Sequence, residues 1–195
     1  MRVAVLSDIH ANIEAFQAVV SDLEHRTDRI LNLGDLVGYN ASPNECVELA
    51  SDIGMQSIQG NHDQAAYDLS LAESFNIFAR KAILWTRSVL SKNNMLSLHS
   101  LPLNCRFTYA LGKVASVEIP LDGTVKLNED GFYLLNPGSV GQPRNGDPRS
   151  SYFIFDTQEN TLRFRLVEYD LSETIKKIMN ANLPELFAER LVHGT

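Results

Sequence analysis

The chain has 195 residues, with 17 Lys and Arg against 24 Asp and Glu, a formal net charge of −7. That length suits one domain with its own core, and 44% hydrophobic with 21% charged residues is globular rather than disordered in character. The acidic balance argues against broad nucleic-acid binding, which needs a basic surface, and no apolar run reaches the ~18 residues of a membrane span.

The segment Arg2 to Leu6 is a short valine-rich run and is predicted to be a buried strand. The uncharged stretch before Asp8 is too short for the core of a signal peptide. Asn12 opens a helical pattern in which Ile13, Phe16, Val20 and Leu23 share a face. A second strand is predicted over Arg29 to Leu33. A helix follows from Ser42-Pro43-Asn44-Glu45, where Ser42 and Glu45 have capping-box spacing and Pro43 suits the first helical position. Met55 to Gln59 reads as a third strand. The strand-helix alternation predicts a parallel sheet with right-handed crossovers.

The middle is helical, with Phe78, Ala82, Trp85 and Val89 on one side and Leu101-Pro102 as its end. Strands are then predicted over Asn104 to Tyr109, Val114 to Ile119, Thr124 to Leu127, Phe132 to Leu135, Ser151 to Asp156 and Thr161 to Tyr169. Leu162, Phe164 and Leu166 alternate with Arg163 and Arg165, the pattern of a strand with one wet face. Helices resume at Leu171, with Ile175, Ile178 and Met179 together, and again after Pro184. Cys46 and Cys105 are isolated, with no C-x-x-C pair, which fits a reducing, cytoplasmic setting.

Polar residues gather where the first three predicted strands end: Ser7-Asp8-Ile9-His10, Gly34-Asp35-Leu36-Val37-Gly38 and Gly60-Asn61-His62-Asp63. Ligands in an open α/β sheet sit outside the carboxyl ends of its strands. Carboxylate, imidazole and amide oxygen are donors for divalent ions of the Mn, Fe or Zn type. Each piece has a plain alternative, such as a turn after a strand or a helix cap, but the ordered set at consecutive strand ends is far more specific. A dinucleotide-binding reading fails, because no G-x-G-x-x-G follows the first strand.

These three segments resemble the first three motifs of the calcineurin-like metallophosphoesterases. The run Asn136-Pro137-Gly138-Ser139-Val140-Gly141-Gln142-Pro143-Arg144 is similar to a late signature of that family's small bacterial and archaeal phosphodiesterase branch. So is Asp35-Leu36-Val37-Gly38-Tyr39 followed by Pro43-Asn44-Glu45-Cys46. The resemblance extends from Met1 to about Val167 and implies an αββα sandwich, with two mixed β-sheets flanked by helices, over 1–195. It implies two divalent ions, Mn first, with Fe, Zn or Ni as alternatives, held by Asp8, His10, a bridging Asp35 and Asn61. A phosphomonoester or phosphodiester, small molecule or nucleotide, would be cleaved by a hydroxide that the two ions activate. His62 would hydrogen-bond the phosphate or protonate the leaving group, Asp63 would orient His62, and Asn61 and Arg144 would contact the substrate.

The chain also departs from that pattern. The family supplies a later His-Gly and a Gly-His-x-His, whereas this sequence has only His10, His25, His62, His99 and His193. His193-Gly194 falls after the last predicted helix. The family's later motifs belong between Phe107 and Val114, so a segment is expected to be absent there, visible as a break in chain spacing. Two functions compete: a metal-dependent phosphoesterase, and a non-catalytic protein-binding scaffold with a degraded metal site. Oligomeric state is left open.

Overall fold

The computed structural model describes residues 1–104, 113–114, 123–128 and 131–195. Strand β1 (Arg2–Leu6) leads into helix α1 (Ile13–Leu23), whose N-terminus is capped by the Asn12 side chain accepting from Ala15 N at 3.1 Å. Strand β2 (Arg29–Asn32), helix α2 (Pro43–Asp52) and the short strand β3 (Gln56–Ser57) follow. Helices α3 (Asn61–Tyr67), α4 (Ile77–Val89) and α5 (Lys92–Ser100) form the middle. Then come strands β4 (Lys113–Val114), β5 (Gly123–Lys126), β6 (Gly131–Phe132), β7 (Ser150–Asp156) and β8 (Thr161–Val167). Helices α6 (Leu171–Asn180) and α7 (Glu185–His193) close the chain.

The strands form a six-stranded sheet in the order β3-β2-β1-β7-β8-β5 and a separate β4-β6 pair. The first three strands are parallel and adjacent, as their alternation with helices predicts, while β7 and β8 run antiparallel beside β1. On one face of the large sheet, Ala4, Leu6, Tyr152 and Ile154 pack with Phe16, Val19 and Leu23 of α1. On the other, Phe153 and Leu162 pack with Leu127, Tyr133, Leu135 and Phe164. The molecule is an α/β sandwich of mixed sheets flanked by helices, the fold class that the sequence implies.

Several local expectations are corrected. Strand β3 covers two residues, not five, and β6 ends at Phe132 rather than Leu135. The Ser42 side chain makes no cap bond, so the helix start rests on Pro43. The predicted strands Asn104–Tyr109 and Val114–Ile119 lie, beyond their first residues, outside the described residues, as does most of the expected break between Phe107 and Val114.

The arginine face of β8 is not simply wet either. It turns toward α1, where Arg165 donates to Asp22 at 2.8 and 3.0 Å and the Tyr152 hydroxyl donates to Asp22 at 2.5 Å. Burial alone would raise the Asp22 pKa, but the Arg165 and Tyr152 hydrogen bonds outweigh it and leave the carboxyl below its ordinary value. A carboxyl with a depressed folded pKa stabilises above its unfolded pKa, and that contribution is lost as pH falls through the folded value. Asp22→Ala is therefore expected to cost about 1–3 kcal/mol at pH 7, from lost charge-assisted hydrogen bonds. Thermal melts should show the gap between variant and parent closing toward acid pH; a gap constant down to pH 2 would refute this.

Candidate metal centre

The three parallel strands end at one edge of the sheet, and the loops after them are laced together. Asp8 N donates to Gly34 O (3.1 Å), His10 N to Asp35 O (2.9 Å) and Ala11 N to Leu36 O (2.9 Å). The lacing twists the backbone: Asp8, His10, Ala11, Asp35 and Tyr39 all have positive φ, five of the eight non-glycine residues so placed among those described. Strain of this kind concentrates at functional sites. The late loop clamps the same edge, with Val140 N donating to Ser7 O (3.0 Å), Gly141 N to Asp8 O (2.9 Å) and Ser139 Oγ to Asp8 O (3.0 Å).

This framework brings one ligand atom each of Asp8, His10 and Asp35 within 4.8 Å of one another. His10 is fully buried, and its Nδ1 lies 3.2 Å from Val37 O, an acceptor, so Nδ1 carries a proton. In the neutral ring Nε2 then presents its lone pair to Asp8 Oδ1, 3.2 Å away. Two acceptors this close require a proton or a cation between them. A carbonyl that fixes the ring from behind is also the outer-shell arrangement of metal-bound histidines. The donor set fits a divalent ion.

The carboxylates are tuned in opposite directions. Burial works against ionisation of Asp8, yet the bond and charge of His10, with Ser7 and Arg144, bring its pKa down to about 2. Asp35 is raised, chiefly by burial, with the Asp8 charge adding to it. Asp35 Oδ1 accepts from His62 N at 2.9 Å. Asn61 is exposed at the first position of α3, between Gly60 and His62, both of which touch the Asp35 carboxylate.

His62 lies beside the cluster, its ring 4.9 Å from that of His10, 4.5 Å from Tyr39 and 4.7 Å from Phe75. Its Nδ1 is buried without a hydrogen-bond partner. Burial first, then the His10 and Arg144 charges, push its pKa down to about 2, so the ring is neutral near pH 7. The expected Asp63–His62 contact is not made. Asp63 is fully buried and instead accepts from Val37 N and Gly60 N, both at 3.0 Å, joining the second and third strand-end loops. Burial, and secondarily Asp35, raise the Asp63 pKa to about 7.

Arg144 does reach the cluster, with Nη2 3.4 Å from both Asp8 Oδ1 and His10 Nε2. A cavity of about 230 Å³ lies beside it, lined by Asp8, Asn136, Gly138, Ser139, Asn145 and Ser151 as well as Arg144. His25 and His193 are exposed, and His99 stacks edge-on against Tyr67 at 4.7 Å. Residues missed from sequence include Tyr39, which contacts both site histidines and Phe187 of α7, and Asn40, whose Nδ2 donates to His10 O and Gly141 O. Tyr39 closes the Asp35-Leu36-Val37-Gly38-Tyr39 stretch, and the sequence signal for Asn40 is its position directly after it.

A mixed-sheet α/β sandwich with Asp-x-His, Gly-Asp and Gly-Asn-His at consecutive strand ends defines a metallophosphoesterase-like protein with a partial metal site. Residues 1–160 match the calcineurin-like phosphoesterase superfamily domain, and the chain belongs to that superfamily. It is 38% identical to the uncharacterized protein MJ0912 of Methanocaldococcus jannaschii, covering 98% of each chain. That alignment spans 237 positions against 195 residues here, so at least 42 of its positions hold no residue of this chain. A crystal structure of a metallophosphoesterase from Sphaerobacter thermophilus is 33% identical, with a TM-score of 0.77 over 100% of this chain and 99% of that one. The hypothetical protein PH1004 from Pyrococcus horikoshii OT3 shares the fold, with a TM-score of 0.80 at 18% identity over 100% of this chain and 98% of that one.

Proposed function

We propose that the protein is a metal-dependent phosphoesterase acting on a phosphomonoester or phosphodiester, a small molecule or nucleotide. The observation that carries this reading is the Asp8, His10 and Asp35 cluster at the strand ends, with the Arg144 guanidinium on it. A divalent ion bound there supplies Lewis acidity and a water acidified toward neutral pH. The chain's own residues do the rest. The Val37 carbonyl keeps the His10 lone pair on the ion's side, and the His62 amide holds Asp35. The neutral His62 ring offers a hydrogen bond to a phosphate oxygen, and the Arg144 fork of donors suits another.

Mn-dependent hydrolysis of p-nitrophenyl phosphate and bis-p-nitrophenyl phosphate tests this. Activity is expected with Mn and not with a chelator. Asp35→Asn should lose more than about 100-fold, because even outer-shell partners of metal ligands are worth 10–100-fold. A metal-loaded chain that cleaves neither ester would leave the second reading, a protein-binding scaffold. That reading is favoured by one observation: His25, His99 and His193 all stand apart from the cluster.

A further inference from the structure

Two divalent ions sharing a carboxylate need donors on both sides of it. All five histidines of this sequence lie among the described residues. His10 belongs to the three-donor cluster, and His25, His99 and His193 do not. His62 is not in that cluster through either ring nitrogen, and its Nδ1 is buried beside Gly38, where a Cβ would lie 2.5 Å from it. Among the described residues, the expected ligands beyond Asp8 and His10 are Asp35 and the Asn61 amide, too few for a second ion.

A second cation is nevertheless present, and it is part of the chain. Arg144 Nη2 is equidistant, at 3.4 Å, from Asp8 Oδ1 and His10 Nε2, the two atoms that face each other across 3.2 Å. The root of this arm is fixed: Gly141 N is bonded to Asp8 O, Gln142 N to Ser139 Oγ, and the Gln142 side chain is fully buried. Its head is not, since the Arg144 side chain is 49% exposed. A guanidinium and a divalent ion cannot both sit against Asp8 Oδ1 and His10 Nε2. Like charges ~4 Å apart repel by about 1 kcal/mol per unit-charge product even in bulk water, and by more near a protein.

We propose that this chain takes up one divalent ion rather than two, and that the Arg144 guanidinium holds that ion's position until the ion displaces it. The inference rests on the metal-dependent reading above and adds a regulation to the same site. An ion entering between Asp8 and His10 turns the tethered guanidinium outward, toward the cavity that Asn136, Gly138 and Ser139 line. There it is free to meet a phosphate oxygen. By linkage, a phosphate that draws Arg144 outward must also favour the ion.

Calorimetric titration of the full chain with MnCl₂, with elemental analysis of the loaded protein, tests both halves. One Mn per chain is expected, and two per chain overturns the proposal without any variant being made. Arg144→Gln should bind Mn at least about tenfold more tightly, since a competing cation has been removed. Unchanged or weaker binding by a folded Arg144→Gln overturns the displacement. No binding by either form overturns the proposal together with the metal-dependent reading. A chain that holds one Mn and hydrolyses neither nitrophenyl ester defeats the phosphoesterase reading and leaves this inference standing.

Discussion

His62→Ala is expected to lower kcat for a nitrophenyl ester by about 10²–10³, the usual effect of removing one hydrogen-bond donor aimed at developing charge. Bound Mn should stay the same, because His62 lies beside the Asp8, His10 and Asp35 donors and not among them. Burial, first, holds the ring's pKa well below its ordinary value, which suits a neutral hydrogen-bond donor to a phosphate oxygen. His62→Gln keeps a donor and should recover part of the loss. The ring also fills space between Tyr39, Phe75 and His10, so a thermal melt must show that the Ala variant is folded before kcat is compared. Full turnover with unchanged metal content would remove His62 from the mechanism. Loss of Mn would make it a ligand.

Gly60→Ala should damage the centre from the other side. A Cβ at Gly60 would lie 2.0 Å from Asp35 Oδ1 and 2.3 Å from Asp35 N, distances that real atoms do not adopt. The backbone partner cannot swing aside as a flexible side chain would, so either Asp35 or the loop after β3 must move. A fall in Mn affinity of about 10–100-fold is expected, with about 1–3 kcal/mol of stability lost to overpacking. Gly54→Ala is the control. Its φ is +64° with nothing within 4 Å, so it should cost about 1–2 kcal/mol of backbone strain and leave Mn binding alone. Equal Mn affinity in both variants and parent would show that Asp35 does not depend on this close approach.

Much of the first half was legible because its signals are local. The valines of β1, the apolar stripe of α1 and Pro43 at the start of α2 each act within a few residues, and each element stands where the pattern predicts. Asp8, His10 and Asp35 could be read as donors for the same reason: strands of a parallel sheet end at one edge whatever their neighbours. The second half was less legible. Short strands such as β6 carry no periodicity, and Arg165 reads as a wet position until α1 brings Asp22 against it.

The sequence by itself determined the strand-end donors, the parallel β1 to β3 core and membership of a phosphoesterase superfamily. Tertiary structure decided what those donors face. Antiparallel insertion of β7 between β1 and β8 lays the loop ending at Arg144 across Asp8, a pairing of residues 136 positions apart that no local spacing encodes. It also decided Asp63. The buried Val37 N–H and the half-buried Gly60 N–H must find acceptors, and that need takes both carboxylate oxygens away from His62.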